Sequence, residues 1–282
     1  MRYGISTHLY HEARLSRDHL LEIGSYGFDQ VEVFAARPHF DYHDAKAIGE
    51  LGRWLGEAGL TLHSIHGPIV EDIVGGRWIG ALSLAAADAD AREHALRETA
   101  AAIDIARQIA TKFLVLHLGV PDDMAPPGGA NLRDAALESL EHIVALAEPV
   151  GLQVAVELIR NDLSRAAALV EIVEDDLELP NVGICLDFGH AALEGDVVDA
   201  VETVAGLLVT THVHDNRGRS DDHLVPFEGT IHWPSVLTSL QKVGYEGTLM
   251  FELVGTSEAA AVLERTRAVR ERFDEILGDG MR

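Results

Sequence analysis

Short apolar runs rich in Val, Ile and Leu alternate with longer amphipathic segments along the whole chain. This alternation is typical of a parallel α/β fold, in which each strand is followed by a helix that covers the sheet. Eight runs have the length and composition of buried strands, and they span residues 3–6, 30–34, 60–65, 112–117, 152–158, 182–187, 207–213 and 248–253. Eight strand–helix units in 282 residues predict a (β/α)8 TIM barrel.

The segments between these runs predict helices, with the clearest patterns at residues 44–58, 91–110, 132–150, 164–176 and 258–277. Several of them end at a glycine, as in EAGLTL and PVGLQV, where a left-handed residue closes a helix. A doubly wound sheet is the alternative fold, but neither GxGxxG nor GxxxxGK follows the first strand. No linker or change in composition divides the chain, so we predict one domain over residues 1–282.

The chain is strongly acidic, with a formal net charge of −24 and only three lysines. Binding to a nucleic-acid backbone needs clustered Lys and Arg side chains that neutralise phosphates, and the sequence has no such basic stripe. The charge therefore argues against a nucleic-acid partner. Proteins from a high-salt cytoplasm are also acidic throughout, so the charge does not by itself identify another partner.

Other features of the composition concern the compartment. The first residues, MRYGISTHLY, lack the apolar core of a signal peptide, and no apolar stretch reaches about 18 residues. Cys185 is the only cysteine, so the chain cannot form an internal disulfide. We therefore expect a cytoplasmic protein without a membrane span. Formation of a homo-oligomer stays open.

Side chains that bind metals stand at the ends of the last six predicted strands. In a barrel the carboxyl ends of all strands open on one face, where active sites are built. One such side chain alone is more often a packed, hydrogen-bonded residue, but carboxylates that meet without a cation have raised pKa values and cost stability. The joint pattern thus predicts a metal centre formed by His66, His117, Glu157, Asp187 with His190, His212 with His214, and Glu252.

The loop after the seventh strand adds further candidate ligands before a new helix begins at Trp233. A loop that needed only solubility would use Ser, Lys, Glu and Gly rather than imidazole and carboxylate groups. We therefore expect this loop to contribute to the metal centre. Its candidate side chains are Asp215, Asn216, Arg217, Asp221, Asp222 and His223.

Over essentially its full length the sequence resembles the xylose-isomerase-like barrels, which unite sugar isomerases and epimerases with type-IV apurinic endonucleases. The resemblance to the epimerases implies one divalent ion (Zn, Mn, Mg or Co) held by Glu157, Asp187, His212 and Glu252. It also implies substrate contacts at His190 and Arg217, and we add His66 as a third substrate-binding candidate.

The resemblance to the endonucleases implies up to three metal ions. The DDH-x4-EG-x-I register that begins at Asp221 fits this branch. Its ligand set maps onto His66, His117, Glu157, Asp187, His190, His212, Asp221, His223 and Glu252. That branch also implies basic and aromatic side chains directed at a bent duplex, and the only arginines near the predicted face are Arg77, Arg160, Arg217 and Arg219.

Three functions stay open at this point. In a metal-dependent isomerase or epimerase of a sugar, sugar phosphate or polyol, Glu157 and Glu252 would move a proton on opposite sides of the substrate. In a multi-zinc phosphoesterase, Glu157 would bridge two metals. A barrel that binds without catalysing is disfavoured by the intact ligand set. The acidic surface favours the sugar enzyme, with a small sugar-like molecule as its partner.

The remaining features have weaker predictions attached. Glu32 and His8 are expected to line the site or to form hydrogen bonds there rather than to bind metal, and His214 is expected to orient a ligand or to be structural. Two segments, 67–89 with an exposed Trp78 and 120–130 with PP and GG, are longer than strand–helix turns require and either cover the site or are solvated insertions. Six other histidines are predicted at the surface, namely His11, His19, His39, His43, His94 and His142.

Overall fold

Eight parallel strands close into a barrel in the computed structural model, which describes residues 1–75, 77–122, 124, 129–176, 181–255 and 258–279. The strands of the described chain are β1 (Arg2–Ser6), β2 (Gln30–Phe34), β3 (Thr61–His66), β4 (Val70–Val74), β5 (Arg77–Ala81), β6 (Phe113–Leu116), β7 (Gln153–Glu157), β8 (Val182–Asp187), β9 (Leu208–Val213) and β10 (Thr248–Phe251). The order around the barrel is β1, β10, β9, β8, β7, β6, β3 and β2. The predicted TIM barrel is confirmed.

Helices follow the strands and cover the outside of the barrel. They are α1 (Arg17–Ser25), α2 (Ala45–Ala58), α3 (Ala89–Ile103), α4 (Arg133–Ala147), α5 (Ala166–Glu171), α6 (Phe188–Glu194), α7 (Val197–Val204), α8 (Trp233–Lys242) and α9 (Ala259–Asp279). The helix predicted over 91–110 ends earlier and continues as a 3-10 turn, Asp104–Arg107, and the one over 164–176 continues as a π-helical turn, Ile172–Asp176. No helix among the described residues is long and apolar enough to cross a membrane.

Helix α2 illustrates why these segments form helices. The side chain of Asp44 accepts a hydrogen bond from the main-chain N–H of Lys46 and so caps the first turn. Ile48 and Leu51 recur at helical spacing and are buried against the barrel. Gly59 ends the helix with a φ of 69°, a conformation that glycine adopts without a Cβ clash.

The segment 67–89, predicted as a loop, contains an antiparallel hairpin of β4 and β5. Trp78 is half-buried rather than exposed, because its ring packs at 5.8 Å from the ring of Phe34 and joins a small cluster with Ile69 and Val70. Val70, Ile73 and Trp78 give the hairpin an apolar face, which packs on Phe34. Gly76, the second glycine of the predicted GG pair, lies outside the described residues.

The second long segment, 120–130, is described only in part. Residues 123 and 125–128, which include both prolines and the first glycine of the predicted pattern, lie outside the described residues. Val120, Pro121 and Met124 line the main cavity. For these residues the structure supports the interpretation of a segment that covers the site.

Two histidines predicted at the surface are buried. His39 is fully buried, with Nδ1 at 2.7 Å from the carbonyl oxygen of Ala13 and Nε2 at 3.1 Å from the hydroxyl of Thr7. His11 is buried as well, with Nδ1 at 2.9 Å from the carbonyl oxygen of His8. The surface prediction was wrong for both, because main-chain carbonyls and a hydroxyl satisfy their ring nitrogens away from water.

Candidate active site

A cavity of about 330 Å³ opens at the carboxyl ends of the barrel strands. One part of its wall is apolar and aromatic, with Phe34, Ile69, Trp78, Val120, Pro121, Met124 and Val254. The other part carries imidazoles and carboxylates, namely His8, His11, Glu12, His66, His117, Glu157, His190, Asp221, His223 and Glu252. The cavity therefore joins a polar base to an apolar wall, as small-molecule sites commonly do.

Four strand-borne side chains at the base of this cavity form what we call the inner cluster: Glu157, Asp187, His212 and Glu252. The imidazole lies at the centre of the cluster. His212 Nδ1 is 2.8 Å from Glu157 Oε1, 3.5 Å from Glu252 Oε2 and 3.9 Å from Asp187 Oδ2. All four residues are at most 4% exposed. The structure thus brings together the four residues predicted to hold a single metal.

The barrel places these side chains at one level. Glu157 and Asp187 are the last residues of β7 and β8, and Asp187 is paired with His212 in the register of β8 and β9. Asp187 also caps α6, because its Oδ1 accepts a hydrogen bond of 2.7 Å from the main-chain N–H of His190. That contact leaves Oδ2 directed at the cluster and at His214 Nε2, 3.0 Å away.

Two further imidazoles flank Glu157 on the side of β3 and β6. His66 Nε2 and His117 Nε2 lie 3.2 Å and 3.1 Å from Glu157 Oε2. Glu157 Oε2 is buried, but no described residue, including these two imidazoles, has an N–H or O–H group directed at it well enough to form a hydrogen bond. A buried carboxylate oxygen without a hydrogen bond is costly unless another group, such as a cation, completes the site.

The outer cluster consists of His190, Asp221 and His223. Asp221 Oδ2 is 3.0 Å from His223 Nε2 and 3.6 Å from His190 Nε2. His223 Nδ1 is 3.0 Å from the carbonyl oxygen of Glu252 and therefore donates a hydrogen bond to it. Asp221 and His223 lie on a loop rather than on a strand. The position of the outer cluster therefore depends on that loop and not on the register of the barrel strands.

Asp215 anchors this loop and does not reach the cavity. Its carboxylate accepts hydrogen bonds from the main-chain N–H groups of Phe227 (2.9 Å) and Ile231 (3.1 Å) and from the indole of Trp233 (2.9 Å). A Cβ at Gly229 would overlap this carboxylate, so a glycine is required there. The sequence grouped Asp215 with the candidate ligands, but its oxygens are occupied by the loop.

The three predicted substrate contacts have different positions. His66 and His190 line the cavity. Arg217 is exposed, its main-chain N–H donates to Asp222 Oδ2 at 2.9 Å, and it is not among the described residues that line the cavity. A substrate contact of Arg217 stays a prediction.

Glu32 and His8 occupy different layers of the site. His8 lines the cavity, as expected. Glu32 lies beneath it, fully buried in the barrel, with Oε2 at 3.2 Å from His212 Nε2. The aromatic wall of Phe34 and Trp78 was not foreseen as part of the site. The apolar pairs Ile69–Val70 and Trp78–Ile79 are the weak sequence signal that could have indicated it.

Opposite charges set the ionisation of the cluster. Burial would raise the pKa of Glu157, but the neighbouring His212 and His117 outweigh burial and bring this pKa well below its usual range. Burial would lower the pKa of His66, but Glu157 and Glu252 raise it to about 9. Asp221 likewise raises the pKa of His223 to about 10. Protons on imidazoles therefore balance the carboxylates when no other cation is bound.

The donor set fits a divalent metal ion. Ligand atoms of His66, His212 and Glu252 lie within 4.8 Å of one another. Two further triplets with this spacing are His66, His117 and Glu157, and His214, Asp221 and His223. Carboxylate oxygens with imidazole nitrogens suit Mg, Mn, Co and Zn. The buried Glu157 Oε2, which has no hydrogen bond among the described residues, also fits a site for a cation.

Known proteins share this fold and much of its length. The chain is 28% identical over 185 residues to the uncharacterised protein MJ1311 of Methanocaldococcus jannaschii, a match that covers 63% of this chain and spans only 61% of that protein. It is 24% identical over 269 residues to fructoselysine 3-epimerase of Shigella flexneri, which covers 91% of each chain. The crystal structure of a D-tagatose 3-epimerase-like protein superimposes with a TM-score of 0.80 at 23% identity and covers 100% of both chains. Residues 20–274 match the family described as xylose isomerase-like TIM barrel, and the chain belongs to this family.

Proposed function

We propose that the protein is a divalent-metal-dependent epimerase or isomerase of an uncharged keto sugar. The observation that carries this proposal is the pair Glu157 and Glu252, which reach one cavity from β7 and from the end of β10. Their oxygens lie 2.8 Å and 3.5 Å from the same imidazole nitrogen, His212 Nδ1. Two carboxylates beside one substrate carbon can remove a proton on one face and return it on the other.

The roles of the residues follow from their positions. When bound by Glu157, Asp187, His212 and Glu252, a divalent ion would polarise the sugar carbonyl and acidify the neighbouring C–H bond. Glu157, which is ionised, takes the proton at its carboxylate, and Glu252 delivers a proton to the opposite face. His66 and His190 line the cavity and hold substrate oxygens. The apolar wall limits the contact of the bound substrate with water during the proton transfer.

The lining of the cavity favours an uncharged substrate over a sugar phosphate. Of the described residues that line it, none is Arg or Lys, whereas Glu12, Glu157, Asp221 and Glu252 are acidic. Residues 123, 125–128 and 256–257, which adjoin the described segments, contain no Arg or Lys in the sequence either. A phosphate group in this cavity would have no Arg or Lys partner among the described lining residues and would face four carboxylates.

The similarity to epimerases supports the same reaction class. The relative from Shigella flexneri acts, by its name, at carbon 3 of a keto sugar derivative, and the superimposed crystal structure belongs to a protein resembling a ketose 3-epimerase. These matches span nearly all of the chain. We therefore expect proton exchange next to a ketone rather than at an aldehyde or a phosphate ester.

The test is proton exchange on free ketohexoses in D2O. Protein loaded with Mn2+ or Co2+ is incubated with D-fructose, D-tagatose and D-psicose, and NMR follows deuterium at carbon 3 and formation of the epimer. We expect exchange by the wild type and a loss of about 1,000-fold in kcat/KM for Glu252→Gln and for Glu157→Gln. Full turnover by Glu252→Gln on every ketose that the wild type converts would contradict the proton-transfer role.

Glu98→Gln is the matched control for these variants. Glu98 is also a buried carboxylate, but it accepts hydrogen bonds from Tyr42 and His43 and does not line the cavity. We expect this variant to keep the wild-type exchange rate. If the wild type exchanged no proton with any ketose tested, the proposed function would be contradicted.

A multi-metal phosphoesterase is the second candidate, favoured by one observation. Two ligand triplets extend beyond the inner cluster: His66 and His117 with Glu157, which belongs to that cluster, and His214 with Asp221 and His223. Elemental analysis of protein purified without chelator distinguishes the candidates. One metal per chain agrees with the epimerase, and three metals together with hydrolysis of a phosphodiester would replace it by the phosphoesterase.

A further inference from the structure

Glu32 is a buried carboxylate that takes part neither in the proposed proton transfer nor in direct metal binding. It lies on β2, is 0% exposed, and does not line the cavity. Its Oε2 accepts a hydrogen bond of 2.7 Å from the hydroxyl of Ser64 and lies 3.2 Å from His212 Nε2. Burial of such a group is costly unless its partners repay the loss of water. Its main partner is the central imidazole of the inner cluster.

The barrel brings Glu32 to this position through an irregularity in its sheet. The register of β2 and β3 shifts between Val31 and Glu32, so that Glu32 is paired with Ser64. Such a shift re-aims the side chains that follow it. Strands β1 and β10 separate β2 from β9 in the barrel order, so the contact between Glu32 and His212 crosses the barrel interior.

This contact decides which nitrogen of His212 carries a proton. An ionised carboxylate only accepts hydrogen bonds, so His212 Nε2 must donate to Glu32. Nδ1, which faces Glu157, Asp187 and Glu252, is then free to offer its lone pair when a metal replaces the second proton. The oriented imidazole is thereby ready to act as a ligand before the metal arrives.

We propose that Glu32, supported by Ser64, is a positioning residue that fixes the Nε2–H form of His212 and so sets the affinity of the inner cluster for divalent metal. The inference rests on the metal site of the proposed function. It does not depend on which sugar is converted, because metal binding is measured without turnover.

Calorimetric titration with Co2+ of protein from which metal has been removed by a chelator tests this role. Glu32→Gln keeps the shape of the side chain, but its amide can donate to Nε2 and favour a proton on Nδ1, where the metal would bind. We expect its Kd for Co2+ to rise about 10- to 100-fold. Ser64→Ala removes one hydrogen bond from the carboxylate, and we expect a rise of about 5-fold.

Glu98→Gln again serves as the matched control, because it neutralises a buried carboxylate with two hydrogen bonds, of 2.6 Å and 3.0 Å, away from the cluster. Its Kd for Co2+ should equal that of the wild type. An equal loss of affinity in Glu98→Gln, or an unchanged Kd in Glu32→Gln, would overturn the proposal. Should Glu32→Gln fail to fold, Ser64→Ala carries the test, and an unchanged Kd in that variant would also overturn it.

A spectroscopic readout separates positioning from general stability. In Zn2+-loaded protein, we expect the Nε2–H proton of His212 to resonate far downfield, since it is hydrogen-bonded to a carboxylate. This signal should move upfield or vanish in Glu32→Gln and stay in place in Glu98→Gln. A signal that is identical in all three proteins would show that Glu32 does not act on His212. Loss of ketose exchange with these metal-binding results intact would remove only the proposed function.

Discussion

The inner and outer clusters hold similar side chains but are built in different ways. Glu157, Asp187 and His212 of the inner cluster lie on barrel strands, and Glu252 directly follows one. Asp187 and His212 are fully buried. In the outer cluster, Asp221 and His223 leave a loop, and their side chains are 32% and 12% exposed. The barrel fixes the first group through the register of eight strands, whereas the second depends on how one loop is held.

The two clusters also differ in their balance of donor atoms. Three carboxylates and one imidazole form the inner cluster, while two imidazoles and one carboxylate form the outer one. Oxygen-rich sites suit Mg and Mn, and nitrogen-rich sites suit Zn. An epimerase needs only the first site. In the proposed epimerase the outer residues would bind the substrate, and in a phosphoesterase they would bind a metal.

Asp215→Ala should give the largest effect, because it removes the anchor of the loop. Four donors, including the indole of Trp233 and the main-chain N–H of Asn216, would lose their buried acceptor. We expect the free energy of unfolding to fall by about 4 kcal/mol, measured by urea denaturation. Asp222→Ala, which changes a more accessible carboxylate in the same loop, should cost less than about 1 kcal/mol. Equal costs would mean that the loop is not held by Asp215.

A pair of Asp→Asn variants compares the clusters directly. Asn can still cap α6 at position 187, so Asp187→Asn should weaken Co2+ binding by about 100-fold without unfolding the helix. Asp221→Asn should change the affinity for a single Co2+ by less than about 3-fold if the outer cluster binds substrate only. Calorimetric titration measures both. Comparable losses, with more than one Co2+ bound by the wild type, would favour the phosphoesterase.

His39, which lies away from the clusters, should respond to pH in the opposite way from His66, which lies beside Glu157. Burial lowers the pKa of His39 from 6.5 to about 4 and outweighs its bond to Ala13, whereas carboxylates raise the pKa of His66 to about 9. A lowered pKa in the folded state means that the contribution of His39 to stability is complete above pH 6.5 and is lost as the pH falls towards 4. The loss between pH 7 and pH 4 should be about 3 kcal/mol.

Urea denaturation between pH 7 and pH 4 measures this dependence. His39→Gln should show a shallower fall of stability over that range than the wild type, although it is less stable at pH 7. His142→Gln, which changes an exposed histidine on α4, should follow the wild-type curve. If His39→Gln follows the wild-type curve too, the buried imidazole is not what makes the fold acid-sensitive.

The part of the site that lies on strands could be predicted, because the apolar runs locate the strands and the barrel fold locates the strand ends. Each apolar run fixes a strand, and the residue at its end must then lie on the carboxyl face of the barrel, as Glu157 and Asp187 do. No property of the sequence separates Asp215 from Asp221 in this way. The donors that occupy Asp215 belong to residues 227, 231 and 233, and their approach depends on the folded loop.

Burial of His39 and the hairpin were missed for a related reason. A histidine in a loop away from the strand ends is usually exposed, and only the tertiary contacts with Ala13 and Thr7 reveal that His39 is not. The β4–β5 segment has few residues and charged positions, so its pattern is weak until Phe34 supplies a surface on which Trp78 packs. Long-range contacts decided both cases.

The anchored loop also determines where this protein tolerates change. Residues 217–220 are exposed and lie between Asn216, which is fully buried, and Asp222, which binds the N–H of Arg217. Doubling the length of such a stretch adds only about 0.6 kcal/mol of closure entropy. Insertions here would lengthen the rim beside the cavity and leave the barrel untouched. Redesign of the size of molecule that the cavity accepts should therefore start at these four positions.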